Sequence, residues 1–224
     1  MNTIAIIGSS GFFGKSLINH YQKTAKVKTK IYCISRKNFR IDKKNKNVLI
    51  VKKKKSLEKV ERLPKSDFIF YFIKHENTKQ TKKYFNHFLN LLSKNNKNSK
   101  ILFSSSGSVY GPVSKKKKFS ENVKINQNNL RKYKNYKKKY SREKYYLEKK
   151  FKYLAKKGFK VSIARCFSFY GENILRYNYV ISNILNAVRK KQNIVLNNKS
   201  NLLRGYMHEK DLARWLIKIC KNSN

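Results

Sequence analysis

The sequence "TIAIIGSSGFFG", residues 3–14, joins an unbroken apolar run to three glycines spaced three residues apart. The apolar run predicts a buried β-strand, and the amphipathic pattern that follows the glycines, through to about Lys23, predicts a helix. A glycine permits the tight turn, a second lets the backbone approach a pyrophosphate, and the helix N-terminus supplies N–H donors. This context predicts a dinucleotide-binding turn rather than a purely structural one. Its candidate cofactor-binding residues are Gly8, Ser10, Gly11, Phe12, Phe13 and Gly14.

Further short apolar runs along the chain also predict buried strands, because they show no polar alternation. They lie at 30–35, 47–51, 67–73, 100–106 and 160–167. Helical patterns at 78–94 and 137–157 separate several of them. Strands of this kind alternating with amphipathic helices predict an α/β fold with a doubly wound parallel sheet. After residue 170 the pattern changes, and predicts a helix near 177–191, a short strand near 193–196 and a last helix at about 209–221.

The charge of the chain is unusual for a folded domain. Of 224 residues, 55 are Lys or Arg and 11 are Asp or Glu, which gives a formal net charge of +44. Such a field attracts phosphates of any kind. The lysines are spread over every segment together with many asparagines, which favours compositional drift at the surface over nucleic-acid binding as the main role. Help in binding an anionic small molecule is the remaining interpretation.

Length and cysteine usage set further limits. The 40% hydrophobic content suits one sizeable core, and no apolar run approaches the length of a signal peptide or membrane span. We therefore expect a soluble, cytoplasmic protein without a membrane partner. The three cysteines, Cys33, Cys166 and Cys220, are far apart and show no metal-ligand spacing. They are predicted to be free thiols, with no metal site.

The end of the second predicted strand bears on the choice of cofactor. A carboxylate there would hold the adenosine ribose hydroxyls, but the chain reads "CISRKN" at 33–38. Ser35 and Arg36 occupy the position of the acid, and Arg36 could pair with a ribose phosphate through its planar fork. NADP is therefore favoured over NAD.

Five motifs give the chain a resemblance to a known family. They are "GSSGFFG" at 8–14, "SSSGSVYG" at 104–111, "YSREK" at 140–144, "ARCFSFYG" at 164–171 and "RGYMHEKDLARWL" at 204–216. In this order, they resemble the extended short-chain dehydrogenase/reductases, specifically the nucleotide-sugar epimerases and dehydratases. The resemblance extends over essentially the whole chain.

The resemblance implies a domain organisation and partners. Residues 1–167 would form a Rossmann-like NAD(P)-binding domain, and residues 168–224 a partial substrate-binding region, short and truncated beside relatives that continue further. The substrate would be a nucleotide sugar. Relatives often dimerise through the helices around the catalytic Tyr and Lys, so a homodimer is expected, although a charge of +44 opposes it.

A tyrosine and a lysine one helical turn apart are the predicted catalytic pair. Tyr140 and Lys144 share a helix face, and a buried ammonium near a phenol favours the phenolate. Tyr140 could then act as general acid or base, while Lys144, as in the family, would also hold the nicotinamide ribose. Several Tyr–Lys pairs here have the same spacing. Tyr140 is selected by Ser141 after it, by Glu148 at the family's offset, and by the upstream serine cluster.

The other site residues follow from the strand ends and the resemblance. Ser106 is predicted to hydrogen-bond the reacting oxygen, with Ser105 as the alternative, and Ser104 is assigned to the cofactor. Ser168 stands where the family usually has an Asn near the substrate's pyrophosphate. Arg204 matches an arginine that binds the nucleotide's phosphates.

The reaction type remains open between two alternatives. Dehydratases of the family carry an Asp–Glu pair where this chain has Gly107 and Ser108, which leaves a 4-epimerase or a 4-ketoreductase. A non-catalytic dinucleotide-binding member is the competing hypothesis. It draws support from bulky Phe72 and Ile73, where the family has small residues, and from the lysines at 52–55, where an acid would meet the adenine.

Overall fold

A computed structural model describes residues 1–41, 45–74, 78–112, 119–172, 174, 179–194 and 205–223. The strands are β1 Asn2–Ile7, β2 Thr29–Ile34, β3 Val48–Lys53, β4 Phe68–Tyr71, β5 Lys100–Ser106, β6 Lys160–Cys166, β7 Ser168–Tyr170 and β8 Tyr206–His208. The helices are α1 Phe12–Thr24, α2 Thr78–Asn95, α3 Gln127–Arg131, α4 Asn135–Lys156, α5 Val180–Arg189 and α6 Glu209–Lys221.

The first six strands form one parallel sheet in the order β3-β2-β1-β4-β5-β6. The predicted doubly wound α/β fold is thereby confirmed. The chain leaves β1 toward β2 and β3, then returns to β4 on the opposite side of β1. The carboxyl ends of β1 and β4 therefore form the topological switch point, where folds of this type bind ligands.

Helices cover both faces of the sheet, which explains why the strands lack polar alternation. In β1, Ala5 and Ile7 join the core under α2 and α4, whereas Ile4 and Ile6 join the core under α1 and α6. On the first face, the Phe151 ring of α4 stacks on Phe103 of β5 with centroids 4.5 Å apart. This stacking fixes α4 over the end of β5.

The segment after β6 contributes to the same core. Helix α6 buries Leu212, Ala213, Leu216 and Cys220 in the cluster that contains α1. The division into 1–167 and 168–224 stays a prediction. Residues 193–194 lie outside any strand, and the rest of the short strand predicted at 193–196 lies outside the described residues. Strands β7 and β8 pair in parallel and were not predicted.

The described residues also show the state of the cysteines, the groups that could ligate a metal ion, and the length and polarity of the helices. Cys33, Cys166 and Cys220 are free thiols. Within the described ranges, no cluster of His, Cys, Asp and Glu could hold a metal ion. None of the helices in those ranges is long and apolar enough to cross a membrane.

Candidate active site

The glycine turn lies at the switch point of the sheet. The Gly8 amide donates to the Ile34 carbonyl at 2.8 Å, and the Phe72 amide, just after β4, donates to the Ile7 carbonyl at 2.8 Å. Gly8 has a φ of +92°, and a Cβ there would stand 3.0 Å from the Phe72 carbonyl carbon. Gly8 is therefore required by the left-handed turn and by the close approach of the chain after β4.

The other two glycines differ in what they contact. A Cβ on Gly14 would lie 2.5 Å from backbone atoms of Ser9, so the packing of α1 against the turn demands glycine. Gly11 is exposed, and a Cβ there would lie 3.4 Å from the Gly8 carbonyl oxygen, at the short end of ordinary van der Waals contact. Gly11 is also the N-cap of α1 and supplies no side-chain cap. An accessible backbone at an uncapped helix N-terminus fits the diphosphate of a dinucleotide.

Phe12 and Phe13 hold the turn to β7 through their side chains. Their ring centroids lie 4.9 and 4.8 Å from the Phe169 ring, and the Phe13 ring also contacts Phe72 at 5.6 Å. The bulky Phe72 noted in the sequence is thus one member of an aromatic cluster beside the turn. Ser10 lies half-buried within the turn.

Ser35 and Arg36 follow β2 at the same edge of the sheet. The Ser35 hydroxyl is buried and donates to the Lys37 carbonyl at 2.6 Å, while Arg36 is exposed. No carboxylate occurs between Ser35 and Ile41. The preference for NADP stays a prediction.

The three serines that end β5 have different partners. The Ser104 carbonyl accepts from Lys144 Nζ at 2.7 Å. The Ser105 hydroxyl donates to Glu148 Oε1 at 2.5 Å. Ser106 Oγ accepts from the Ser108 amide at 3.2 Å, and the Ser106 side chain lies near enough to the Tyr140 hydroxyl to lower its pKa. The structure therefore brings Ser106, rather than Ser105, to the tyrosine.

Helix α4 carries Tyr140 and Lys144 on the face that packs against β5. Burial raises the pKa of Tyr140 to about 12, against a smaller lowering by the nearby Ser106 side chain. Burial lowers the pKa of Lys144 to about 8. Lys144 Nζ lies 5.9 Å from the centroid of the Tyr140 ring and bonds to the Ser104 carbonyl. The expected stabilisation of a phenolate is therefore outweighed by burial, and Tyr140 is a neutral phenol at neutral pH.

Glu148 is the centre of a buried network one turn beyond Lys144. Arg165 of β6 donates from Nε to Glu148 Oε1 at 3.0 Å and from Nη2 to Glu148 Oε2 at 2.9 Å. Arg165 Nη1 also donates to the Tyr110 hydroxyl at 2.9 Å. Sequence reasoning noted the position of Glu148 but missed its partner. The available signal was an arginine inside a largely apolar strand pattern, which indicates an acceptor nearby.

Three further residues complete the inventory of the site. Cys166 ends β6 close enough to Tyr140 and Lys144 to affect the pKa of both, and burial raises its own pKa to about 12. Ser168 begins β7 and is half-buried. Arg204 lies outside the described residues.

Comparisons with known proteins agree with this geometry. Residues 4–224 match the model of the family described as "NAD dependent epimerase/dehydratase family". No curated protein matches the chain significantly.

Solved structures share the fold at low sequence identity. The chain is similar to dTDP-glucose 4,6-dehydratase of Bacillus anthracis in complex with NAD, with 15% identity, a TM-score of 0.71, and coverage of 100% of this chain and 73% of the other. It is similar to the UDP-glucuronic acid 4-epimerase of Bacillus cereus in complex with UDP-glucuronic acid and NAD, with 16% identity, a TM-score of 0.70, and coverage of 96% of this chain and 72% of the other. It is also similar to the UDP-Glc/GlcNAc 4-epimerase of Campylobacter jejuni, with 16% identity, a TM-score of 0.66, and coverage of 99% of this chain and 74% of the other.

Proposed function

The chain belongs to the NAD-dependent epimerase/dehydratase family, and from this premise we propose that it oxidises or reduces C4 of a nucleotide sugar, as a 4-epimerase or a 4-ketoreductase. The observation that carries the proposal is that the Ser106 side chain lies close enough to the Tyr140 hydroxyl to lower its pKa, with Lys144 one helical turn away. These groups stand at the carboxyl edge of a doubly wound sheet, where ligands bind.

The proposed cofactor is a nicotinamide dinucleotide, which when bound supplies the hydride acceptor or donor. The backbone at Gly11 and the N-terminus of α1 would hold its diphosphate. Lys144 would hold the nicotinamide ribose, with Ser104 beside it. Arg36 supports NADP over NAD, because a guanidinium pairs well with a ribose phosphate.

Tyr140 would donate and accept the proton in this reaction. In the reducing direction a hydride is added to C4 of the 4-keto sugar, and the Tyr140 hydroxyl donates its proton to the carbonyl oxygen. Ser106 would orient that oxygen, and the Lys144 ammonium would stabilise the phenolate left behind. In the oxidising direction the phenolate accepts the proton back.

This proposal differs from a dehydratase because the two residues after Ser106 carry no carboxylate. Loss of water needs an acid and a base beside the sugar, but Gly107 and Ser108 follow Ser106 in a short 3-10 turn. Glu148, a buried carboxylate of α4, is engaged by Arg165 and Ser105. We therefore place Tyr140, rather than a carboxylate, as the group that moves the proton.

A non-catalytic dinucleotide-binding role is the second candidate. It is favoured by the aromatic cluster of Phe12, Phe13, Phe72 and Phe169, because rings packed beside the glycine turn restrict how closely a bound cofactor can approach the reacting residues. Binding of a nicotinamide nucleotide without turnover of any nucleotide sugar would support this role over catalysis.

Tyr140→Phe is the direct test of the catalytic proposal. Binding of NADPH and NADH is measured by fluorescence, and turnover is measured with UDP- and dTDP-linked hexoses and their 4-keto forms. Tyr140→Phe should keep cofactor binding and lose at least about a hundredfold in turnover. The matched control is Tyr136→Phe, which removes a hydroxyl from the ring stacked on Tyr140 at 5.9 Å and should retain activity. A wild-type protein that binds neither nucleotide would contradict the proposal.

The glycine pair Gly11 and Gly14 tests the cofactor site separately. Gly11→Ala should leave the free energy of unfolding nearly unchanged yet weaken NADPH binding, since its Cβ would occupy the approach to the backbone. Gly14→Ala should destabilise the fold itself, because its Cβ would clash with Ser9. Equal cofactor affinity in wild type and Gly11→Ala would place the diphosphate elsewhere.

A homodimer through the helices around Tyr140 and Lys144 is proposed as the assembly. The charge of +44 opposes the contact, and salt screens such repulsion. Sedimentation should therefore show more dimer as the salt concentration rises. A monomer at every salt concentration would contradict the proposal.

A further inference from the structure

A second cleft lies on the outer side of α4, away from β5. Helices α2, α3 and α4 enclose a cavity of about 420 Å³. Five of its lining residues are cations: Arg131, Lys138, Lys139, Arg142 and Lys149. A cavity of this size is large enough for a nucleotide-sized molecule.

The cleft is distinct from the candidate active site. Tyr140 and Lys144 do not line it, and Lys144 Nζ is turned to the Ser104 carbonyl of β5. Lys138, Arg142 and Lys149 are spaced four and seven residues apart, so they share the opposite side of the helix. α4 thus presents two separate polar surfaces.

Glu143 distinguishes this cleft from a merely basic surface. Its side chain lines the cavity and is 7% exposed, and its Oε1 atom has no hydrogen-bond partner among the described residues. A buried oxygen without a donor is costly, and such groups usually find a partner. The cations around Glu143 are expected in a chain with 55 basic residues, whereas a buried Glu143 oxygen without a hydrogen-bond partner in the described part of the chain is not.

We propose that the cleft binds a ligand that combines phosphate groups with an N–H or O–H donor, as a nucleoside di- or triphosphate does. The two guanidinium groups, Arg131 and Arg142, suit bidentate contacts with phosphate oxygens, and the lysines add positive charge around them. The Glu143 Oε1 atom accepts the hydrogen bond from the base or sugar. This site is separate from the dinucleotide site at the glycine turn. It is open in the monomer, whereas a homodimer through α4 would cover the outer side of that helix.

The test is calorimetric titration of the full chain, with NADPH present in excess, by ATP and by inorganic triphosphate. Arg142→Ala should weaken both ligands about tenfold or more, as expected for the loss of a charge-assisted hydrogen bond. The control is Lys152→Ala, an exposed α4 cation outside the cleft, which removes the same charge and should change neither affinity notably. Equal weakening by both variants would reduce the binding to diffuse attraction by the +44 charge and overturn the proposal.

Glu143→Gln separates the two parts of the ligand. The substitution removes a negative charge at nearly constant shape, so inorganic triphosphate should bind more tightly. ATP should gain less or bind more weakly, because its donor loses a charged acceptor. Unchanged affinities for both ligands would overturn the role of Glu143.

The outcome with NADPH keeps this proposal separate from the enzymatic one. If excess NADPH abolishes ATP binding, ATP occupies the glycine turn and the second site does not exist. If the protein binds no NADPH, the proposed function fails, whereas the Arg142→Ala and Glu143→Gln results still decide the cleft.

Discussion

Lys144 and Glu148 are two buried charges, one helical turn apart on α4, with very different surroundings. Lys144 is 7% exposed and its Nζ donates to the Ser104 carbonyl, a neutral acceptor. Glu148 is 1% exposed and accepts from the Ser105 hydroxyl and twice from the Arg165 guanidinium. Both side chains are therefore buried, but only Glu148 forms an ion pair that compensates its charge.

This difference indicates a structural role for Glu148 and a chemical role for Lys144. Removing an ion from water is costly unless an opposite charge and hydrogen bonds replace the lost hydration. Glu148 has both, and the Glu148 hydrogen bonds raise the pKa of Arg165. Lys144 has incomplete compensation, so burial lowers its pKa to about 8. The ammonium that the proposed chemistry requires is thus held at a cost in stability.

The largest expected effect is that of removing Glu148. Glu148→Ala leaves the Arg165 guanidinium, whose side chain is 12% exposed, without its counter-charge. The free energy of unfolding should fall by about 3–5 kcal/mol, measured by urea denaturation. The control is Glu61→Ala, whose side chain is 91% exposed and whose loss should change stability by less than about 0.5 kcal/mol.

A double substitution checks that the loss comes from the unpaired guanidinium. Glu148→Leu combined with Arg165→Leu removes both charges together, and should destabilise the protein less than Glu148→Ala alone. The single variants for comparison are Glu148→Leu and Arg165→Leu. If the double variant loses as much stability as the two single variants added together, the ion pair does not couple α4 to β6.

The second effect is a pH dependence contributed by Lys144. Its folded pKa, about 8, lies below the ordinary value of 10.5. Between these values the unfolded chain binds more protons, so this contribution to stability rises as pH increases from about 8 to 10.5. Lys144→Met lacks the ionisation. Relative to this variant, the wild type should gain about 3 kcal/mol over the window.

Comparison with Lys144→Met cancels the groups that titrate above pH 9 without interacting with Lys144; the Cys166 thiol, whose pKa is raised by burial and lowered in part by Lys144, does not cancel. Burial raises the pKa values of Tyr140, Cys33 and Cys220, and these groups lower stability as pH rises through the same range in both proteins. A difference between wild type and variant that stays flat from pH 8 to 10.5 would contradict the uncompensated state of Lys144.

The sheet could be predicted because its strands are buried on both faces. Continuous apolar runs such as 4–7 and 101–103 mark β1 and β5, and the glycine spacing locates the turn after β1. The four-residue spacing of Tyr140, Lys144 and Glu148 placed all three on one face of α4. β7 and β8 were missed because three residues are too few to show a periodicity.

The partners within the site could not be predicted, since they depend on tertiary contacts. Ser104, Ser105 and Ser106 are identical in sequence terms, yet the pleat of β5 and the position of α4 give each a different partner. The protonation state of Tyr140 was also beyond reach, because it depends on depth of burial relative to the distance of Lys144. The cavity beside α2 and α3 depends on packing that no local pattern encodes.

The smallest expected effect distinguishes Ser105 from Ser106. Ser105→Ala removes one hydrogen bond to Glu148 and leaves the Arg165 pair intact, so stability should fall by about 1 kcal/mol. Turnover should change little, because Ser105 is bonded to the structural carboxylate. Ser106→Ala should instead lower kcat with a small change in stability, because its side chain lies beside the Tyr140 hydroxyl. Loss of kcat in Ser105→Ala with retention in Ser106→Ala would reverse the two assignments, and Glu148 would then belong to the reacting end of α4.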